Sequence, residues 1–530
     1  MRPLSRVLLL SCLLLAFGFS GQRTHAQGAT SAGTDFWLGY MENLDLGLNG
    51  PPYLYLVVNA LQSAQVVLEV PATGDAFPYS VPAGGSTVIY VPANFSYPVG
   101  AEVYYADGLH ITADVPVTVH AIHHRLYFSE ATLVLPYPEL GTDYMVVAEK
   151  DVDGSSPSEF LVQATADGTA VQITPSVLTS SFRPAGVPFT VMLDAGNTFQ
   201  LQSFDDLTGT VVTGLDPAKP IAVFGGSKMG RVTCMAATDH LWTQLMPTTS
   251  WGVHFAAVPY KDRGGDIFKI LALNDGTTVT TTTGLTLPLD AGEYAAPLLS
   301  TPALITSDAP VAVVQFNQSQ DCNGAPGDGC MAFVPPSDHR SLSSRFWSLT
   351  GPGGAPTGWT PLHTLNVVTQ AKAGAPSVLL DGVDIGPQFL PMPAAAGWYY
   401  LRTDIVEGPH VLQSGSPYQA QVSAFGDYNG LTYYTGYQEE MVSTAVIGPE
   451  RPAVLDLFVP VGAPWVFQAA QPGSQGTLTI VDATGRIVRQ WSNMHDGQVV
   501  RHDLGPGAFA YLFQERQGGV RQRGRLVVMP

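Results

Sequence analysis

The sequence predicts an all-β protein, built as tandem antiparallel β-sandwich-like repeats followed by a small C-terminal β-sandwich. Three observations lead there. Charged residues make up only 13% of the 530 positions and include six lysines, so there are few solvated helix faces to supply. Gly 55 and Pro 42 punctuate runs rich in Val and Thr, while 45% hydrophobic and 10% aromatic residues can fill cores and exclude charge-driven disorder. One phrase with period-two apolar alternation, the strand signature, recurs four times along the chain. A β-propeller built from the same repeats is the alternative architecture.

The first 26 residues read as a secretory leader. Arg2 and Arg6 precede an apolar run from Val7 to Phe19, and Thr24-His25-Ala26 offers small residues for cleavage between Ala26 and Gln27. The run is shorter than the roughly 20 apolar residues of a membrane span, and no later stretch qualifies. Leu10-Ser11-Cys12 leaves lipid attachment as an alternative. Loss of the three leader arginines takes the net charge from −19 to −22, which repels nucleic acid and anionic membranes.

The recurring phrase is Ile111-Thr-Ala-Asp-Val-Pro-Val-Thr-Val119, then Leu215 to Val223, Ile305 to Val313 and, more weakly, Leu412 to Ala420. Its prolines, Pro116, Pro220, Pro310 and Pro417, are spaced 104, 90 and 107 residues apart, and Asp-Xaa-Pro reads as a turn into a strand. A second phrase opens each unit: Gly33-Thr-Asp-Phe-Trp37, Gly141-Thr-Asp-Tyr144, Trp251 to Phe255 and Arg345-Phe-Trp347. In a third, Phe160 to Val171 is answered by Phe268 to Val279, each with a central Asp-Gly-Thr that reads as a hairpin turn. Leu193-Asp-Ala-Gly196 and Leu289-Asp-Ala-Gly292 repeat another turn. The predicted division is a leader (1–26), repeats at 27–135, 136–245, 246–335 and 336–440, a linker (441–453) and a C-terminal domain (454–530). Charge marks the last boundary, with a net −24 over 27–453 and +2 over 454–530.

Three cysteines follow the leader. Cys322 and Cys330 are expected to close the Gly-rich loop 321–330 as a disulfide, leaving Cys234 as an odd thiol. His120, His123 and His124 are the densest set of metal-ligand types, but no third ligand is placed by spacing. They read as polar residues at the exposed end of a strand. Asp239-His240 reads as a hydrogen-bonded pair at a turn. No Gly-Xaa-Ser-Xaa-Gly nucleophile accompanies it, so an enzyme is disfavoured and a secreted hydrolase is the minor alternative. Asp151-Val-Asp-Gly154 starts like a calcium loop but has Val162 at position twelve; no cofactor is expected, with calcium left as an open option. Gly225-Gly-Ser-Lys-Met-Gly230 lacks the ending of a phosphate-binding loop. Trp359, Trp398, Tyr399, Tyr400, Tyr433 and Tyr434 could stack on sugars if exposed, while alternation turns one of each adjacent pair inward.

Two resemblances emerge. Gly33-Thr-Asp-Phe-Trp37, the Asp-Xaa-Pro phrases, Thr238 to Gln244 followed by Trp251-Gly252, Gly327-Asp328 leading to Phe333-Val-Pro-Pro336, and Glu407 to Ser414 with Phe425-Gly426 and Tyr433 to Gly436 resemble the N-terminal region of IgGFc-binding proteins. That likeness implies a non-catalytic extracellular or surface region with a binding or adhesive role, without implying immunoglobulin as its ligand. The tail, with Leu478 to Val488 around Gly485, the turn Leu504-Gly-Pro-Gly-Ala-Phe509 around Gly507, and the ending Arg525-Leu526-Val527-Val528, resembles a type A-like C-terminal sorting domain of the type IX secretion system. The usual Pro-Asn-Pro opening is absent, and Phe458-Val-Pro460 stands in its place. This second likeness implies bacterial export through the periplasm to the cell surface or medium, with that machinery as one partner and an unknown extracellular protein or glycan as the other. A lectin-like glycan-binding protein is the alternative function.

Overall fold

The first strand of each unit explains how its neighbours are arranged, because it pairs with the long strand that carries the proline phrase. The computed structural model describes residues 30–439 except 46–51, 93, 94, 96, 234–237, 349–360 and 372–375. In the tail it describes 457–460, 465–467, 475–482, 486–495, 498–501, 503–515 and 521–529. The chain divides into two bodies, Met1–Met441 and Val442–Pro530. The leader with Ala26 and Gln27, the 441–453 linker, Cys234, Trp359 and Gly485 lie outside the described residues. The architecture is almost entirely antiparallel β, as the sequence predicts.

In the first body the long strands are Leu109–Arg125, Ala303–Phe316 and Gly408–Gly426, with Val211–Gly214 and Ile221–Gly230 in their place in the second unit. The first half of each pairs with the strand after the Asp-Gly-Thr position, and the second half with the strand before it. Thus Ile305–Ser307 faces Thr281–Val279, while Val311–Phe316 faces Ala272–Ile267. The opening strands Gly33–Leu38, Gly252–Ala257 and His339–Ser348 pair along the long strand and shift register opposite Pro116, Pro310 and Pro417. A proline cannot donate to the ladder, so a bulge is where it fits. The expected turn into a strand occurs only at Pro220, where Asp216 organises a break. In the other three units the proline sits within one continuous strand and marks its passage from one sheet layer to the next.

The Asp-Gly-Thr turns also differ from expectation. The turn itself forms, with Gly168 and Gly276 at φ +61 and +69, values that suit glycine. The flanking strands do not pair as a hairpin: Ser158–Ala164 and Thr169–Thr174 lie in different sheets. The turn instead locks onto the other repeated turn. Asp194 accepts the Gly168 N–H at 2.9 Å and Asp167 accepts the Ala195 N–H at 3.0 Å. The third unit repeats this, with Asp290 on Gly276 at 2.9 Å and Asp275 on Ala291 at 3.0 Å. Two phrases that recur in the sequence are the two halves of one clasp.

The last strand of each unit pairs with its long strand and lies at the centre: Phe128–Val134, Asp239–Gln244, Met331–Val334 and Asn429–Tyr434. The first packs against the second and fourth, and the third against the second and fourth, so the four units close into a ring about these strands. The ends of the ring meet where the Ser31 N–H donates to the Tyr437 carbonyl at 2.8 Å and the Tyr437 N–H to the Ser31 hydroxyl at 2.9 Å.

In the second body, Gln475–Val481 pairs with Ile487–His495 and with Gly507–Glu515, and Arg521–Met529 lies between Gly507–Glu515 and a parallel Leu457–Pro460. Phe467, Leu478, Ile480, Tyr511, Phe513, Leu526 and Val528 form its core. The expected sorting residues are therefore strand residues: Gly507 stands opposite Val528, Arg525 opposite Ala510 and Val527 opposite Ala508.

Candidate functional site

The four central strands place their side chains on one shared axis, and its interior is polar where cores are usually apolar. Glu130 is fully buried. Its carboxylate accepts the Met331 N–H at 2.7 Å, the Thr432 N–H at 3.2 Å and its neighbour Ala131's N–H at 3.0 Å. Asp239, equally buried, accepts Ser129 N–H at 2.8 Å, His240 N–H at 2.7 Å and Gly430 N–H at 3.0 Å. Each carboxylate thus reaches two units besides its own. Burial holds both acids well above the usual carboxylate range, opposed by these backbone donors. Sequence reasoning missed this role for both; the available signal was a carboxylate inside the apolar run Tyr127 to Leu135.

A small cavity of about 20 Å³ lies farther along the axis, lined by all four units: Thr132 and Leu133, Thr243 and Gln244, Ala332 and Phe333, and Tyr433 and Tyr434, with Tyr437 at its side. None of the described residues lining it is charged. The Thr132 and Thr243 hydroxyls lie 3.2 Å apart, and Thr132 also takes the Gln244 N–H. Gln244 Oε1 accepts the Leu135 N–H at 2.8 Å, while its Nε2 is buried with no hydrogen-bond partner. That volume is on the scale of bound water, well below that of a small-molecule site.

The residues singled out from the sequence lie elsewhere. All three strand histidines are buried, which corrects their assignment to an exposed strand end. The second half of that strand is covered on both faces by the ring. His120 bonds Asn59 and the Tyr434 carbonyl, His124 bonds the Ser129 hydroxyl, and His123 packs against Tyr40, Tyr97 and His240. Burial lowers His120 and His124 to about 4. Among the described residues no group of three or more His, Cys, Asp or Glu could hold a metal ion. Asp239 meets the backbone of His240, not its ring, whose Nδ1 faces the Ser227 carbonyl at 3.1 Å. Asp151 and Asp153 converge on the Arg231 guanidinium. The glycines of 225–230 allow strands to approach closely, since a Cβ on Gly226 would lie 1.8 Å from the Leu241 carbonyl oxygen.

The expected Cys322–Cys330 bridge is absent. Cys322 is disulfide-bonded, but Cys330 is a free, buried thiol. The loop turns Cys330 inward to pack with Tyr260 and Phe425, whereas the Cys322 sulfur lies 3.1 Å from the Thr233 hydroxyl. Of the aromatics, Tyr433 is buried and donates to the Trp347 carbonyl at 2.7 Å, Tyr400 is buried, and Trp398, Tyr399 and Tyr434 are partly covered.

A closed ring of sandwich-like units about a shared, uncharged axial cavity defines a binding scaffold. The family model described as IgGFc binding protein matches residues 130–424, more than half of the chain, and the chain belongs to that family. The human IgGFc-binding protein is 28% identical over 228 residues, 42% of this chain but only 4% of that protein's length. Among solved structures, the BSP domain of a biofilm-associated protein aligns over 96% of this chain and 98% of its own at 10% identity and a TM-score of 0.13. The N-terminal eight Ig domains of the Down syndrome cell adhesion molecule align over 94% and 70%, also at 10% identity and a TM-score of 0.13. Scores this low carry no argument about the arrangement of the fold. Among the described residues no helix is long and apolar enough to cross a membrane.

Proposed function

We propose that this protein is a secreted or surface-displayed, non-catalytic binding or adhesion protein whose four-unit ring is the binding platform. The family match over 130–424 carries the reading, because it covers the second and third units, most of the fourth and, of the first, its central strand from Glu130 on. Support comes from the ring itself: a rigid scaffold that presents loops at the ends of its sheets is a common basis for recognition. The buried Asp239 and His240 do not form a nucleophile-activating arrangement, which favours binding over hydrolysis. Capture of surface or host-fluid partners by residues 27–453, followed by a glycan array, tests the proposal and separates a protein ligand from a lectin-like one. Failure to retain any protein or glycan above a denatured control would refute it.

We further propose that the tail directs export by the type IX route after a Sec leader, with the secretion machinery as partner. Its terminal strand residues Arg525, Leu526, Val527 and Val528 lie on an interior strand of a small sheet, beside the edge strand Leu457–Pro460, where recognition could read an ordered fold. Deleting 454–530 should retain the protein in the periplasm of a producing cell; unchanged appearance at the surface or in the medium would count against the route.

A further inference from the structure

We infer that the end of the ring bearing the hairpin tips of the first and fourth units binds a basic protein segment, with Tyr127 and Tyr428 as aromatic faces for its arginine side chains. The inference rests on the binding reading above and deepens it by naming the surface and the chemistry of the partner. In every unit a loop joins the long strand to the central strand, and the four loops share one end of the ring. Asp239, at the start of the second central strand, accepts the N–H groups of Ser129 and Gly430, near the starts of the first and fourth. The Tyr428 N–H donates to Gln320 Oε1, in the loop before the third, at 3.1 Å. In the first and fourth units the loop is only two residues, Leu126-Tyr127 and Asp427-Tyr428, closed by the pairing of Arg125 with Phe128 and of Gly426 with Asn429. Both tyrosines stand at the third position of the turn with φ +72 and +54, where backbone preference alone selects glycine or asparagine. Each is about half exposed, at 47% and 51%, so both rings are within reach of a partner. Because each tyrosine lies two residues before an N–H held by the same Asp239 carboxylate, the two tips are within about 20 Å of one another.

Charge selects the partner. Asp45, Asp153, Asp321 and Asp427 are exposed at this end, with the exposed Lys150 opposing them. The arginines there are engaged: Arg125 with Asp45, Arg231 with Asp151 and Asp153, and the buried Arg263 with the carbonyls of Gln318 and Ala325. With the net −24 over 27–453, this field attracts a basic surface and repels an acidic one. A guanidinium stacks on a tyrosine face and pairs with a carboxylate, and the Asp427-Tyr428 tip offers both groups side by side.

The test uses the full-length protein at about 0.15 M salt, with nona-arginine as the probe and nona-lysine as the equally charged peptide that stacks poorly on rings, read by fluorescence anisotropy. Nona-arginine should bind about fivefold more tightly than nona-lysine. The double variant Tyr127→Gly, Tyr428→Gly should weaken nona-arginine about tenfold and nona-lysine less than about threefold, and Asp427→Asn should weaken nona-arginine about threefold. Glycine takes both φ values without strain, so the double variant keeps its fold, which thermal melting checks. Tyr104→Ser removes an exposed tyrosine outside the tips and should leave binding unchanged. If the double variant fails to fold, NMR contacts from arginine side chains to tyrosine rings in the wild-type protein decide, and their absence overturns the inference. Equal binding of the two peptides, or equal nona-arginine binding by wild type and the folded double variant, also overturns it. Tyrosine-dependent retention of a neutral glycan without nona-arginine binding overturns it in favour of a sugar ligand. Capture of partners by 27–453 without nona-arginine binding would refute this surface alone; tyrosine-dependent nona-arginine binding without partner capture would refute the adhesion reading alone.

Discussion

Glu130 and Met331 lie 201 residues apart, and the carboxylate of one accepts the backbone N–H of the other at 2.7 Å. With its bond to Thr432, Glu130 ties the first unit to the third and fourth across the ring centre.

Removing that carboxylate should loosen the whole ring. Glu130→Ala strands three N–H groups in the interior, and we expect a loss of about 4 kcal/mol, from about 1–3 kcal/mol for each buried donor left unmatched. Glu130→Gln keeps one acceptor oxygen and should lose about half as much. Denaturant unfolding of the full chain reads both; a loss below about 1 kcal/mol for the alanine variant would show that the ring does not depend on this residue.

Asp266 should make stability fall as pH rises. It is buried, accepts the Tyr260 N–H at 2.6 Å and Gln315 Nε2 at 2.7 Å, and burial raises it from 3.8 to about 7. A raised native value favours the fold while the group is protonated in both states, below about 4, and that advantage is lost up to about 7. The slope should approach 1.4 kcal/mol per pH unit in that window, and Asp266→Asn should flatten it. Unfolding curves between pH 4 and 8 decide; identical slopes in wild type and variant would refute the assignment.

Lys269 stands in the run Phe268 to Ala272, fully buried, and bridges to Glu149 at 2.7 Å and Asp206 at 2.8 Å in the neighbouring unit. Lys269→Met leaves two covered carboxylates without a cation and should cost about 3 kcal/mol at pH 7. The cost should shrink toward pH 4, because without the cation that holds Asp206 below its ordinary range the two buried carboxylates of the variant take up protons more readily. Equal costs at both pH values would mean that lost packing, not charge, is responsible.

Alkylation should separate the two cysteines. After denaturation without reductant, Cys330 should be labelled and Cys322 should not, with Cys322 becoming reactive only after reduction. A non-reduced peptide joining Cys322 to Cys330 would contradict the structure. Cys330→Ser should leave the Cys322 disulfide in place.

The strands were legible because their signal is local. Alternation in Val117 to Val119 and Val311 to Val313, and the glycines at 168 and 276, report backbone preference regardless of what lies across the ring. The partner of each turn was not legible. Asp-Gly-Thr predicts a chain reversal but cannot say that Asp167 will cap the turn at Ala195, because that contact depends on strands arriving from elsewhere. The same limit misplaced the histidines: the strand Leu109–Arg125 alternates burial in its first half but is covered on both faces in its second. It also misassigned the disulfide, since seven intervening residues permit Cys322 and Cys330 to meet but do not make them do so.

The sequence by itself determined the all-β class, the four-fold repetition and the glycine turns at Gly168 and Gly276, which depend on φ preferences and period-two patterning within a few residues. Only the tertiary structure decided that the repeats close into a ring, that Glu130 and Asp239 serve as its pins, and that Gln244 lines a cavity shared by four units. Those outcomes rest on contacts between positions one hundred to three hundred residues apart, which no local pattern encodes.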